Sequence, residues 1–212
     1  MKMKTSMAGL VLAGIAVTFS PVLGQMAGSP ERETDWQAFF TAGFFDGGTL
    51  LNTRVDGERV KVDMDEGWLI GVRVGADQEY MGVEASIAGV LSDMDLKADP
   101  AADLTKANDA SVLLGGINLL WFPVGNALGD GRIRPFATVG TGIGVFDTDF
   151  YKVENEAAWD VNVGGGIKFL LGDQGNPVIR LDYRWHFFAS SSSGLNSDLY
   201  HQELTLGLGF RF

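Results

Sequence analysis

The sequence contains no cysteine among its 212 residues. Disulfide bonds, thiolate metal ligands, a cysteine nucleophile and a lipid-modified N-terminal cysteine are therefore excluded. Histidine is scarce, with two residues, and 16 lysines and arginines face 27 aspartates and glutamates. The formal net charge of −11 argues against nucleic acid as a partner, because the phosphate backbone selects basic surfaces.

Long apolar runs are also missing, apart from one near the N-terminus. Lys2 and Lys4 precede an apolar stretch over residues 7–19, which ends at a Ser-Pro pair and the sequence VLG. This order is typical of a secretory signal peptide, and the stretch is too short to span a bilayer comfortably. We predict a signal peptide over residues 1–24, cleaved after Gly24, with cleavage after Ala27 as the alternative.

Glycine is abundant instead, with 29 residues, and apolar and polar residues alternate along much of the chain. In VIRLDYRWHF, Ile179 and Leu181 fall on one face, whereas Arg180 and Asp182 fall on the other. A period of two is that of a β-strand. The pattern, or a version of it that is apolar on both faces, recurs in WQAFFTAGFF, WLIGVRVG, MGVEASIAGVL, SVLLGGINLLWF, PFATVGTGIGV, WDVNVGGGIKF and TLGLGFRF. Thr41 and Asn118 mark the polar side of the two segments that are apolar on both faces.

Eight strands of about ten residues have the length that crosses a membrane when tilted. Longer and shorter connections alternate along the chain, as the external loops and periplasmic turns of outer-membrane barrels do. We therefore predict an all-β fold, an eight-stranded antiparallel up-and-down transmembrane β-barrel over residues 36–212, with a periplasmic N-terminal segment over 25–35 and both termini periplasmic. The alternative is a soluble lipocalin-like barrel, which would place the apolar residues inside and the charges outside.

Large aromatic residues lie near the ends of the predicted strands, as expected at the two interfaces of a bilayer. The expected periplasmic belt consists of Trp36, Tyr80, Trp121, Phe169 and Phe212. The expected outer belt consists of Phe44, Trp68, Trp159, Trp185 and Phe187.

The last strand carries a further pattern in Thr205, Gly207, Phe210 and Phe212: polar, any residue, glycine, any two, aromatic, any, terminal aromatic. It resembles the signal by which the bacterial outer-membrane assembly machinery recognises its clients. With its leader and eight strands, the chain resembles the outer-membrane barrel family that includes opacity proteins, outer membrane protein X and the membrane domain of outer membrane protein A. The resemblance implies a Gram-negative outer-membrane location, contact with lipid, lipopolysaccharide, assembly machinery and periplasmic chaperones, and a surface, adhesion or envelope-integrity role.

The polar strand faces predict a charged interior, and buried charges require partners. The expected luminal network consists of Arg73, Glu84, Lys168, Arg180, Asp182, Arg184, Glu203 and Arg211. A hairpin at residues 78–79 in which Gly75 faces Gly82 would place Arg73 opposite Glu84, and the last hairpin would place Arg184 opposite Glu203. Because the interior of eight strands is only wide enough for side chains, we interpret the network as a plug, with a narrow or gated pore as the alternative.

Catalytic interpretations are weaker. GTGIGV is not a nucleotide loop, because Gly140, Gly142 and Gly144 recur on one strand face and no helix follows. His186 and His201 can approach each other across the last hairpin, but no third ligand has metal-site spacing. Lipid A deacylases on this architecture carry a histidine and a serine two residues apart, whereas the serine nearest to His186 is Ser190. We predict no catalytic site, no cofactor and no metal site.

The predicted external loops are acidic. The second has Asp93, Asp95, Asp99, Asp103 and Asp109, and the third has Asp147, Asp149, Glu154 and Glu156. A solvated outer face is the simple interpretation, and divalent cations that bridge the loops to lipopolysaccharide are the functional one. The sequence thus predicts an integral outer-membrane barrel with a surface, adhesion or envelope role carried by its loops, possible host or surface ligands, and no nucleic acid. A small porin-like channel is the first alternative, and a lipid A-modifying enzyme is the second.

Overall fold

The computed structural model describes residues 34–46, 49–55, 58–98, 108–148, 156–171, 176–189 and 199–212. The predicted signal peptide lies outside the described residues, as does the predicted periplasmic segment up to residue 33. The side chains of the acidic loop residues and the serines at 190–193 lie outside the described part as well. No helix in that part is long and apolar enough to cross a membrane.

The described chain folds almost entirely into antiparallel β-strands. In chain order these are β1 (Asp35–Phe45), β2 (Thr49–Val55), β3 (Glu58–Met64), β4 (Gly67–Asp77), β5 (Met81–Ala98), β6 (Asn108–Trp121), β7 (Ile133–Thr148), β8 (Glu156–Leu170), β9 (Pro177–Ala189) and β10 (Leu199–Arg211). A short 3-10 turn (Gly129–Gly131) precedes β7. Every strand that the sequence predicted is present, and each is 11 residues or longer.

Eight of these strands close a barrel. The order around the wall is β1, β4, β5, β6, β7, β8, β9 and β10, and the pairing of β10 with β1 completes the circle. Ala38 lies opposite Phe210, and the Phe212 amide donates to the Trp36 carbonyl over 2.9 Å. The predicted all-β, eight-stranded up-and-down barrel is confirmed, and every strand edge of the closed wall has a partner.

The barrel distributes its side chains in the opposite way to a soluble protein. On β10, Leu204, Leu206 and Leu208 face outward and are 46–59% exposed, whereas Glu203 and Thr205 face inward and are at most 3% exposed. The same alternation holds on β4 and β9. An apolar outer band around a polar interior is the distribution of a transmembrane barrel. The lipocalin-like alternative, which requires charges on the outside, is therefore wrong.

The region between β1 and β4, in which the sequence analysis predicted no strand, is not a simple loop. It contains the hairpin β2–β3, and β3 pairs with the outer part of β5, from Val60 opposite Ala98 to Met64 opposite Met94. The sequence signal was an Asp-Gly pair at 56–57 between two alternating segments, which is a strong hairpin signal. The sheet thus continues beyond the end of β4 on this side of the barrel.

The connections do not alternate strictly in length. Residues 78–80 join β4 to β5 in a tight turn, but the link between β6 and β7 spans residues 122–132, which is longer than residues 149–155 between β7 and β8. The predicted alternation of longer and shorter connections is therefore wrong at this link, because β5, β7 and β8 extend well past ten residues and shorten the loops that follow or precede them. The 122–132 link turns sharply, with positive φ at Gly125, Gly129, Asp130 and Gly131.

One side of the interior wall is lined by small residues, which leaves room for long side chains from the other side. A Cβ atom on Gly142 would lie 2.9 Å from the Gly116 Cα, and a Cβ atom on Gly140 would collide with Asn118. These glycines therefore allow close approach of β6 and β7. The long charged side chains that project into the lumen from β4, β9 and β10 are described next.

Candidate functional site in the barrel interior

A cluster of ionised side chains occupies the middle of the barrel. Its members are buried, with exposures of 0–4%, and they are Arg73, Glu84, Arg180, Asp182, Arg184 and Glu203. They project from four strands, β4, β5, β9 and β10. We refer to these six residues as the central cluster. All six belong to the network that the sequence predicted.

Asp182 lies at the centre of this cluster. It accepts hydrogen bonds from Arg180 Nε at 2.5 Å, Arg184 at 3.0 Å and Arg73 at 3.1 Å. A carboxylate with three guanidinium partners is well compensated despite its burial, because charge-assisted hydrogen bonds replace the lost water. The three arginines are therefore held together by one acid.

Glu84 performs the same role from the opposite wall. It pairs with Arg180, contacts Arg184 at 3.0 Å and lies 3.6 Å from Arg73. Glu203 on β10 completes the cluster through a direct ion pair with Arg73. Each carboxylate thus contacts at least one arginine that comes from a different strand.

The two register predictions have different outcomes. Glu203 lies opposite Arg184 in the ladder of β9 and β10, as predicted. The guanidinium of Arg184 nevertheless contacts Glu84 and Asp182, whereas Glu203 pairs with Arg73. The prediction that Arg73 lies opposite Glu84 was wrong, because Gly75 occupies that position and Arg73 faces Ser86. The hairpin is tighter than expected, since Asp77 rather than Gly75 pairs with Gly82. The long Arg73 side chain nevertheless comes within 3.6 Å of Glu84.

A second charged cluster lies towards the end of the barrel where β1 begins and β10 ends. Lys168 contacts Asp77 at 2.7 Å and Gln37 at 3.0 Å, and Arg134 lies 3.6 Å from Asp77. Of these residues the sequence analysis named Lys168 alone. Extending the period of two to the strand ends would have placed Gln37, Asp77 and Arg134 inside as well, because they share the parity of Thr41, Arg73 and Thr138.

Arg211 lies at the rim of the barrel rather than in the middle of the lumen. Its guanidinium pairs with Asp35 at 3.2 Å, and the two side chains are 29% and 25% exposed. The pair lies where β1 begins and β10 ends, so it belongs to the rim of the barrel. The assignment of Arg211 to the lumen is corrected because the strand reaches the barrel mouth before this residue.

The two histidines lie opposite each other on β9 and β10, as predicted. His186 contacts Asp160 at 3.0 Å through Nδ1 and Glu203 at 3.1 Å through Nε2, whereas His201 Nδ1 contacts the Asp46 carbonyl at 2.9 Å. The buried rings of Phe45 and Phe188 pack against His201. In the part of the chain that the structure describes, no group of three or more metal-ligating side chains comes together.

A small cavity of about 20 Å³ lies between the central cluster and the small-residue wall. Its lining includes Ser86, Gly116, Asp160, Arg184 and His186. A space of this size holds about one water molecule. The interior beside the central cluster therefore has room for hydration.

The outer surface carries the remaining predicted features. All ten aromatic residues of the two predicted belts are exposed, between 37% for Phe169 and 75% for Phe212. Within the terminal pattern, Thr205 and Gly207 point inward, whereas Phe210 and Phe212 point outward. The aromatic members of the pattern are therefore accessible on the apolar surface.

Comparison with known protein families agrees with this architecture. The model of the outer membrane protein beta-barrel domain matches residues 15–212. The chain belongs to this outer-membrane β-barrel family. Membership places the protein in the outer membrane of Gram-negative bacteria. No curated protein sequence is significantly similar to it.

Solved structures of the same fold include two outer-membrane proteins of low sequence identity. The outer membrane protein OprG from Pseudomonas aeruginosa is 14% identical, with a TM-score of 0.60 over 86% of this chain and 97% of OprG. Neisserial surface protein A is 9% identical, with a TM-score of 0.56 over 85% of this chain and 99% of that protein. Identities this low establish a shared fold, and the role of this barrel is argued from its own residues.

Proposed function

We propose that this outer-membrane barrel is a closed, non-catalytic envelope protein whose loops carry a surface, adhesion or envelope-integrity role. The observation that supports the proposal is the central cluster, which spans the interior from β5 to β9 with buried, mutually paired charges. An eight-stranded barrel has little interior space beyond that taken by side chains. Ion pairs that cross the interior in this way favour a closed lumen.

Aromatic packing supports a closed lumen at both ends. Phe45 and Phe188 are at most 2% exposed and pack around His201 at one end. Phe122 and Phe136 are likewise buried at the other end, with ring centroids 6.2 Å apart, and Arg134 lies 4.1 Å above the Phe122 ring. The charged middle is thus bounded by aromatic layers.

The contacts of His186 argue against hydrolytic chemistry. A general base needs a free nitrogen within hydrogen-bond reach of the hydroxyl that it activates. Both ring nitrogens of His186 are instead engaged by carboxylates, Asp160 and Glu203. This arrangement favours a structural rather than a catalytic role for the residue.

A small channel is the second candidate, and the polar character of the interior favours it. The central cluster is held by ion pairs rather than by an apolar core, and a cavity already lies beside it. A rearrangement of arginine rotamers would extend that cavity along the barrel. Such a channel would open only transiently.

We further propose that the termini are periplasmic and that Thr205, Gly207, Phe210 and Phe212 are read by the outer-membrane assembly machinery. The exposed aromatic residues Phe210 and Phe212, at the end of β10 and directly after it, support this role. Periplasmic chaperones would bind the same apolar strand before insertion, and lipopolysaccharide would contact the outer belt and the acidic loops.

Single-channel recording in planar lipid bilayers tests the closed-lumen proposal. The refolded native protein is compared with a double variant, Arg73→Ser with Glu203→Ser, which removes a bonded pair from the central cluster without changing its net charge. The matched control is Asp35→Ser with Arg211→Ser, which removes an equally neutral pair at the rim.

We expect a silent native protein, a silent rim control and reproducible conductance steps in the Arg73/Glu203 variant. Regular steps from the native protein would overturn the closed-lumen proposal in favour of the channel. Silence of all three proteins, each shown to be folded by its heat-modified gel mobility, would show that the central cluster is not what closes the lumen.

A further inference from the structure

His186 is bound differently from an ordinary buried histidine. Its Nδ1 lies 3.0 Å from Asp160 Oδ2 and its Nε2 lies 3.1 Å from Glu203 Oε2. Neutral imidazole has one N–H donor and one acceptor nitrogen. With one proton, the ring would therefore turn a lone pair towards a carboxylate oxygen, which is repulsive. With two protons, both contacts are charge-assisted hydrogen bonds.

The surroundings of Asp160 also require a cation. This carboxylate is 5% exposed, its ion-pair partner is His186, and it accepts a hydrogen bond from Asn162 at 3.2 Å. A buried carboxylate that faces a neutral ring would retain a largely uncompensated charge, which is costly. Glu203 differs, because Arg73 already compensates it from the other side.

The groups that face His186 come from every neighbouring element of the wall. They are Phe45 on β1, Arg73 on β4, Asp160 and Asn162 on β8, Arg184 and Phe188 on β9, and His201 and Glu203 on β10. His201 is held apart from the carboxylates by its contact with the Asp46 carbonyl. Arg73 and Arg184 pair with carboxylates of the central cluster, whereas the ion pair of Asp160 is with the imidazole ring of His186.

From this geometry we infer that His186, Asp160 and Glu203 form a proton-binding site that links strands β8, β9 and β10. The bound proton makes His186 an imidazolium, which bridges two carboxylates on the strands that flank its own. Release of the proton at alkaline pH removes one hydrogen bond and leaves Asp160 facing a neutral ring. The site therefore loosens this part of the wall as the pH rises. This inference does not depend on whether the lumen conducts.

Because the chain has two histidines, NMR can observe the site directly. The protein is labelled with ¹⁵N-histidine and refolded in detergent micelles, and His201→Asn leaves His186 as the single signal. At neutral pH we expect the ¹⁵N shifts of an imidazolium with protons on both nitrogens. A neutral ring with one protonated nitrogen in the folded protein would overturn the inference.

A matched substitution tests whether the charge of Asp160, rather than its packing, holds the proton on His186. In Asp160→Asn with His201→Asn, the shape of the site is kept while one negative charge is lost, so we expect His186 to become neutral at a lower pH than in His201→Asn alone. An unchanged titration curve would exclude Asp160 as a partner of the proton.

The proposed link between strands has its own readout. Because the folded protein holds a proton that the unfolded chain releases more readily, the unfolding rate in micelles should rise with pH above neutrality. The rise should be absent in His186→Asn and present in His201→Asn. A pH-independent rate in the native protein would show that the proton does not hold the strands together.

Discussion

Glu84 of β5 and Arg180 of β9 form an ion pair across the barrel, although 96 positions separate them in the sequence. The order of the strands around the wall places β5 and β9 directly opposite each other. No backbone hydrogen bond can join such strands, so the side chains alone connect them. The ion pair therefore connects opposite sides of the barrel wall through the centre of the lumen.

Loss of the Glu84 charge should destabilise the barrel strongly. Glu84→Gln leaves Arg180, Arg184 and Arg73 with one carboxylate fewer, and breaking one side of a buried ion pair costs about 3–5 kcal/mol. Urea unfolding in micelles, followed by tryptophan fluorescence, measures the change. The control Asp35→Asn breaks a partly exposed rim pair and should cost at most about 1 kcal/mol. Equal losses in the two variants would contradict a special role for the central cluster.

Two glycines should differ in their tolerance of the same added methyl group. In Gly142→Ala the new Cβ would meet the backbone of β6, so we expect a loss of about 1–3 kcal/mol in the free energy of unfolding. In Gly89→Ala the Cβ meets nothing within 4 Å, and the change should stay below about 1 kcal/mol in either direction. The same urea titration tests both, and a tolerated Gly142→Ala would show that β6 and β7 can move apart.

Two adjacent phenylalanines on β1 face opposite sides of the wall, so their substitutions distinguish a role in the lumen from a role at the lipid surface. Phe45 is fully buried against His201, whereas Phe44 is 50% exposed on the outer face beside Trp68. In the Arg73→Ser/Glu203→Ser background, Phe45→Ala should open one end of the barrel and enlarge the conductance steps in a planar bilayer. Phe44→Ala in the same background should leave the steps unchanged, because it alters the lipid-facing surface. Larger steps from Phe44→Ala alone would reverse the assignment of the two faces.

The terminal aromatic should matter for assembly in cells rather than for stability. Phe212→Ala should lower the amount of folded protein in the outer-membrane fraction, as judged by heat-modified gel mobility, while detergent refolding stays close to that of the native protein. Leu208→Ala is the control, because Leu208 is 59% exposed on the same strand face but lies outside the proposed pattern. A similar defect in the control would indicate a general need for apolar surface.

The strands and their faces were predictable because they depend on a local property. A period of two assigns each residue to one face without knowledge of the partner strand. The outward leucines of β10 and the inward Arg180 and Asp182 of β9 are therefore where the pattern placed them. The same rule, carried to the strand ends, would also have identified Gln37, Asp77 and Arg134.

The pairing register was predictable only in part. A shift of two residues keeps every side chain on its own face, so the apolar pattern could not choose between Gly75 and Asp77 as the partner of Gly82. The turn geometry made that choice, and it moved Arg73 opposite Ser86.

The sequence by itself determined the number of membrane strands, the polar interior and the apolar exterior, because bilayer and lumen impose those properties on each strand separately. Tertiary structure alone decided which charges meet. Closure of the sheet brings β5 in front of β9, so Glu84 pairs with Arg180 rather than with the residue facing it in its own hairpin. It also confines His186 between Asp160 and Glu203. Such contacts depend on the curvature and strand order of the whole wall, which no local pattern encodes.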